Sequence, residues 1–269
     1  MLRSFLNHLH QLLARSSFVA RACVRVRNQV NCVIACYLGE SDDGAQNGEY
    51  RLLETLMPHC AAFVDVGANV GDWSEHILSL RQARGILYEP SGECVELLQK
   101  KFAGRDVRIR NVAVGNEKGS ISFVEEKNYG TWSAVAEIYQ GASGTTRDVP
   151  IVRLDDELLT EDFPIDYLKI DTEGYDLNVL KGAAQLIRSG RVRFIQFEYN
   201  SHWLAAHSSL HEAISFLEKE MGYRLALIRS TGLHPFAYDF WGEYYRYSNF
   251  LAYRAVDAPL LQGLLRGKI

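Results

Sequence analysis

The 269-residue sequence is 47% apolar and 23% charged and carries a formal net charge of −4. That length and apolar share suffice for one large core, and α/β domains of this size are commonly single units. The acidic balance argues against a general nucleic-acid binder and no run of about 18 apolar residues marks a transmembrane helix, while five cysteines without a Cys-x-x-Cys pair argue against a disulfide framework and for a reducing, cytoplasmic setting.

Charge is unevenly spread along the chain. Residues 1–36 hold Arg3, Arg15, Arg21, Arg25 and Arg27 and no acid, which leaves 24 basic and 33 acidic side chains elsewhere, a net of −9. In this basic arm Leu2, Phe5, Leu6, Leu9, Leu12 and Leu13 recur at the spacing of one helical face. Three readings stand open. The arm packs on the domain, which so complete an apolar face favours; it lies on a membrane surface and brings the chain to a lipid-linked acceptor; or it is an organelle transit peptide, a class that is Arg-rich and acid-poor. Turn formers crowd residues 41–48 and read as a joint. Residues 1–48 are therefore an extension, 49–256 the domain and 257–269 a tail.

A helix is predicted over 49–57, ended by Pro58. Beyond it come strand 62–66, helix 71–82, strand 84–88, helix 91–102 and strand 106–112, a βαβα rhythm that predicts a parallel sheet with helices on both faces. Residues 119–125 and 148–154 are β-rich insertions, and NYGTWS at 128–133 between them reads as a polar loop over the site. A fourth strand, 165–170, runs into a helix opened by Asp171, Thr172, Glu173 and Gly174, with Leu177, Leu180, Ala184 and Ile187 on one face. The fifth, 192–197, delivers Glu198. Nine aromatic side chains crowd residues 236–253; a final hairpin and core edge account for most of them, and a glycan pocket for the others.

The chemistry gathers at the carboxyl ends of these strands, where open α/β sheets bind ligands. FVDVGANVGDWS at 63–74 ends a strand on Asp65 and turns through Gly67, Ala68, Asn69 and Gly71. Its Asp-x-Gly-x-Asn-x-Gly spacing lacks the dinucleotide fingerprint that brings a pyrophosphate to a helix N-terminus. A ligand without phosphate, such as S-adenosylmethionine, fits the turn better, and a nucleotide-binding oxidoreductase fits it less well. GILYEP at 85–90 ends on Glu89, 24 residues beyond Asp65, the place for a carboxylate that accepts two ribose hydroxyls. Pro90 and Ser91 follow it, and the backbone of Asn111 and Ala113 on the third strand is placed to meet an adenine ring.

Taken together, FVDVGANVGDWS, LYEPSGEC, VRIRNVAVGNEKGSISF, NYGTWS, VRLDDEL, IDYLKIDTEGYDLNVLKGA and FIQFEYN resemble the FkbM family of S-adenosylmethionine-dependent methyltransferases over residues 49–200, with a weaker tail to 253. The most specific element is LKIDTEGYDLNVLKGA at 168–183. The resemblance implies a class I methyltransferase fold and methylation of a hydroxyl on a sugar, polyketide or lipid-linked glycan. Under that expectation the fold is a Rossmann-like, mostly parallel seven-stranded sheet whose last strand is antiparallel. Asp171 holds the cofactor ammonium and Glu173 orients the acceptor, although acids at a helix N-terminus also serve as caps. His202 is the candidate general base, with His234 in reserve. Asp171, Glu173 and Glu198 are oxygen donors of the kind that hard cations take, but no metal is required. A non-catalytic module that binds S-adenosylmethionine is the remaining alternative.

Overall fold

Runs of apolar residues alternate with amphipathic stretches, and each kind folds as its period dictates. The computed structural model describes residues 2–38, 41, 43–125, 134–136, 138 and 144–267. Before the first strand lie four described α-helices, α1 (Leu2–Leu13), α2 (Ser17–Leu38), α3 (Gly44–Asn47) and α4 (Glu49–Leu56), and a 3-10 turn at Met57–His59. Then come β1 (Ala62–Val66), α5 (Asp72–Leu80), β2 (Arg84–Tyr88), α6 (Gly92–Lys101), β3 (Val107–Arg110), β4 (Ala113–Val114), β5 (Gly119–Glu125), β6 (Ala134–Val135) and β7 (Thr145–Val152). The second half holds α7 (Leu154–Leu158), β8 (Ile165–Ile170), α8 (Asp176–Gly182), α9 (Ala184–Arg188), β9 (Val192–Tyr199), α10 (His202–Ala205) and α11 (Leu210–Ile214). It closes with β10 (Arg224–Arg229), β11 (Gly232–Pro235), α12 (Tyr238–Trp241) and β12 (Ser248–Tyr253).

The main sheet has the order β3-β2-β1-β8-β9-β12-β10-β11. From β3 to β9 every neighbour is parallel, and β12 runs antiparallel to both β9 and β10. This is the class I methyltransferase arrangement. It has eight strands where seven were expected, because residues 232–235 fold back on β10 as a hairpin. Chain order reverses between β1 and β8, and that switch point opens a crevice above their carboxyl ends. A second sheet, β4-β7-β5-β6, carries its own small core of Ala113, Phe123, Val149 and Ile151. The predicted strand 106–112 is shorter in the structure, β3 at Val107–Arg110, and the second sheet's β4 begins just beyond it at Ala113.

Period-two alternation divides the strands between two apolar layers. Val64, Val66, Leu168, Ile170, Ile195 and Phe197 face one way, in a layer with Leu177, Leu180 and Ile187 of α8 and α9. Their alternates Phe63, Tyr167 and Phe194 face Leu52, Leu56, Trp73 and Ile77 of α4 and α5. Both faces are thus covered, as parallel sheets require.

Several expectations need correcting. Residues 171–175 form a turn and no helix, since Glu173 and Gly174 have φ of +52° and +104°, and α8 starts only at Asp176. The joint at 41–48 contains a short helix capped by Asp43, whose carboxylate accepts from the Ala45 N–H at 2.9 Å. The hairpin lies at 224–235, ahead of the aromatic segment, whose Phe250 and Tyr253 belong to the buried strand β12. The tail from 257 packs on the body: Leu261 and Leu264 are buried, and Asp257 accepts a hydrogen bond from Arg193 at 2.7 Å. The loop at 128–133 lies outside the described residues. The favoured packing of the arm also fails, since Leu6, Leu9 and Leu13 are 40%, 39% and 44% exposed. Among the described residues of the arm, the buried ones are at the end of α2, Ala35 and Leu38, where Tyr37 also stacks on Trp241 under the Arg229 guanidinium.

At Gly67 the fold tolerates no side chain. This residue has φ +82°, and a methyl group there would sit 1.8 Å from the carbonyl oxygen of Asp171. Gly67 lines the cavity, and its first role is to let the ends of β1 and β8 pass each other. Gly104 has a similar φ of +77° but open space around it. Gly104→Ala should cost about 1 kcal/mol through backbone conformation alone, and Gly67→Ala at least about 3 kcal/mol because main chain must also move. Thermal unfolding of the two variants side by side checks the difference, and equal losses would refute it.

Candidate active site

A cavity of about 810 Å³ opens over the carboxyl ends of β2, β1, β8 and β9, within the size range of small-molecule sites. Beneath its floor runs a row of polar side chains on one face of the sheet, of which Lys169 and Glu49 line the cavity. Strand register sets Asp65 beside Lys169 and Lys169 beside Gln196. The Lys169 ammonium lies 2.9 Å from Asp171 Oδ2, 4.0 Å from Asp65 Oδ1 and 5.4 Å from the centre of the Trp73 ring. Burial opposes its charge, yet Asp171, Asp65 and Glu49 together hold it above the ordinary lysine range. Glu49 closes the row from α4. It accepts from Asn47 Nδ2 at 2.6 Å, Gln196 Nε2 at 2.8 Å and Asn249 Nδ2 at 2.7 Å.

At the β2 end, Glu89 is buried with each carboxylate oxygen engaged. Oε2 accepts the Asn69 N–H at 2.8 Å and Oε1 the Ser91 N–H at 2.7 Å. Burial pushes this carboxyl up to about 7 against the pull of those two bonds. Carboxylate oxygens carry further lone pairs, so Glu89 can still accept hydroxyl groups. Beyond it the wall turns apolar, with Pro90, Val112, Ala113, Val114 and Phe123. A carboxylate that takes a vicinal diol beside a slot for a flat ring is what a nucleoside needs.

At the other end, β9 places Glu198 in the strand itself and Asn200, Ser201 and His202 just past it. His202 Nδ1 is 3.5 Å from Glu173 Oε2. The two meet because Gly174 allows it: a methyl group on Gly174 would lie 2.7 Å from the His202 Cβ. Burial raises the Glu173 carboxyl, and raises Glu198 well above the usual carboxylate range. Behind them Asp176 accepts from Thr172 Oγ1 at 2.9 Å and the Glu198 N–H at 3.1 Å, its own carboxyl pushed by burial to about 8. Asn69, Glu173 and Tyr245 all line the cavity with φ near +50°, a conformation that costs a non-glycine residue about 1 kcal/mol or more.

The structure brings together most of the residues singled out from the sequence. Gly67, Ala68, Asn69, Gly71, Glu89, Pro90, Ala113, Asp171, Glu173 and His202 line one cavity. Three cofactor candidates do not line it. Asp65 is fully buried behind the wall, where Ser74 Oγ donates to Oδ2 at 2.6 Å and Oδ1 has no hydrogen-bond partner. Ser91 caps α6. Asn111 donates to the Glu89 and Pro90 carbonyls, both at 2.9 Å, and so fastens the turn that carries Glu89. His234 sits on β11, where its ring is 2.9 Å from Thr231 Oγ1, away from the cavity. Lys169, Glu49 and Asp176 were missed. A lysine inside an apolar strand two residues before an acid was the available signal for the first. Among the described residues no group of His, Cys, Asp and Glu side chains is arranged to hold a metal ion.

Comparison with known proteins adds a family. The model of the methyltransferase FkbM domain matches residues 65–225. Among solved structures the chain is similar to a methyltransferase FkbM from Methylobacillus flagellatus KT, with 16% identity over 72% of this chain and 43% of that one and a TM-score of 0.45. This chain therefore spans less than half the length of that relative. A precorrin-6y C5,15-methyltransferase from Geobacter metallireducens GS-15 shares 14% identity over 77% of this chain and 87% of that one, TM-score 0.40. The magnesium protoporphyrin IX methyltransferase of Synechocystis PCC 6803 shares 10% over 86% and 82%, TM-score 0.40. No curated protein matches the sequence.

If Glu89 accepts the ribose hydroxyls, its raised pKa makes cofactor binding depend on pH. To accept two hydroxyls it must be ionised, so below about 7 binding has to expel its proton. Calorimetry with S-adenosylhomocysteine should show affinity falling as pH drops from 8 to 6, approaching about tenfold per unit below that pKa. Glu89→Ala should lose more than about 1.5 kcal/mol at pH 8 and flatten the profile. A parent affinity independent of pH, or an unchanged affinity in Glu89→Ala, would remove Glu89 from the ribose site.

Proposed function

The chain belongs to the FkbM family of S-adenosylmethionine-dependent methyltransferases, and from that premise we propose that it methylates a hydroxyl oxygen of a sugar, glycan, lipid-linked glycan or polyketide-type acceptor. Family membership sets aside the oxidoreductase alternative. The observation that carries the reading is the His202–Glu173 pair, 3.5 Å apart on the cavity wall. It stands at the end of β9, three strand spacings or about 14 Å from Glu89 at the end of β2. A nucleoside held at Glu89 leaves that far end for an acceptor.

In this account Glu89 takes the ribose hydroxyls, the apolar wall from Val112 to Val114 takes the adenine, and Asp171 takes the ammonium. Asp171 is suited to this because Lys169 engages only its Oδ2. When bound, S-adenosylmethionine supplies an electrophilic methyl group. The protein supplies alignment, which accounts for much of the barrier lowering in a displacement of this kind. As the acceptor oxygen gains the methyl it must lose its proton, and His202 receives that proton at Nε2 while Glu173 faces Nδ1 and steadies the ring. Tyr245, Arg246 and Tyr247 line the same region and offer polar groups to the rest of a hydroxylated acceptor.

Incubation with labelled S-adenosylmethionine and an extract of the source cell should yield a labelled hydroxyl-bearing product, which identifies the acceptor. With that acceptor, His202→Ala should reduce kcat by about 10²–10⁴-fold and change cofactor affinity by no more than a factor of a few. Wild-type turnover in His202→Ala would remove His202 from the proton transfer. Label on nitrogen would overturn the hydroxyl acceptor, and cofactor binding without any labelled product would favour a non-catalytic module.

A further inference from the structure

The arm of residues 2–33 is left unexplained by methyl transfer. Its two helices carry large apolar side chains into solvent: Phe5 is 66% exposed, Phe18 76% and Val33 70%. Exposed apolar patches of this extent mark interaction sites. The same stretch carries five arginines and no acid, against a remainder of net −9. Among the described residues no helix is long and apolar enough to cross a membrane.

We propose that residues 2–33 dock this protein on an anionic lipid surface, with the apolar side chains of α1 and α2 in the headgroup–acyl boundary and the arginines on acidic headgroups. Charge decides between the occupants open to an apolar helix face. A second copy docked arm against arm would set five arginines against five arginines with no acid in either arm to relieve them, whereas an acidic lipid surface attracts each one. Amphipathic helices with arginine on the polar side and Leu, Phe and Val on the other bind in the plane of such a surface. Position agrees with this. The arm is anchored by Leu38, and Ser41, three residues on, already lines the cavity; three residues of chain span at most about 11 Å. Docking would therefore hold the cavity close to the lipid, within reach of an acceptor anchored there.

The test uses the full chain and sedimentation with two kinds of vesicle, phosphatidylcholine alone and phosphatidylcholine mixed with phosphatidylglycerol. Binding to the mixed vesicles only, weakened by added salt, is the expected result. The double substitution Leu9→Glu, Leu12→Glu and the triple substitution Arg21→Gln, Arg25→Gln, Arg27→Gln should each weaken it at least about tenfold. Because these side chains are exposed, both variants should keep the parent melting temperature, which shows that the body is folded. No binding at low salt, or equal binding to both vesicles, overturns the proposal. So does a parent dimer that Leu9→Glu, Leu12→Glu dissociates while vesicles are ignored, since a second copy would then be the occupant.

Discussion

A single buried ammonium organises this molecule. Lys169 sits inside the sheet with Asp65 and Asp171 in contact range and Glu49 close enough to add to its field. Each group alone would be costly to bury, and truncating one partner of such a set typically costs about 3–5 kcal/mol because the others are left uncompensated. Satisfying them together demands one register, since β1 and β9 must present Asp65 and Gln196 on either side of Lys169 while α4 brings Glu49 down on top. The strand ends that carry the chemistry are held in place by that demand.

Much of this could be read from the chain. Alternating apolar runs gave the strands of the parallel half close to their observed limits, and the acids that end β1 and β2 pointed to the right edge of the sheet. What stayed hidden depends on contacts between distant segments. Gly67 looked like a ligand glycine, but the atom that crowds it is the Asp171 carbonyl, over a hundred residues away. Lys169 stands inside an apolar strand, and only the register with β1 shows Asp65 as its partner there. Asp171 to Gly174 looked like a helix start because acids favour that position; the positive φ of Glu173 has no sequence signature in a non-glycine residue. The arm misled for a different reason. One apolar helical face predicts burial, but it does not say against what.

The site divides its labour along the sheet. Toward β2 the cavity is apolar except for Glu89, whose carboxylate is fixed by two backbone N–H groups. Toward β9 it is polar and conformationally strained, with Glu173 held in a left-handed conformation so that it meets His202. Strain of this kind persists only where the surrounding structure enforces it, and here Gly174 and the buried Asp176 do so. In the aromatic segment Phe236, Trp241 and Tyr244 pack against the core, while Tyr245 and Tyr247 face the cavity.

A crystal structure of the full chain with S-adenosylhomocysteine tests the account most directly. The ribose hydroxyls should lie within hydrogen-bonding distance of the Glu89 carboxylate, the amino group beside Asp171, and the sulfur should face His202 across open space. A ligand bound in the reverse sense, with its amino-acid end at Glu89, or one whose sulfur is walled off from His202, would contradict it.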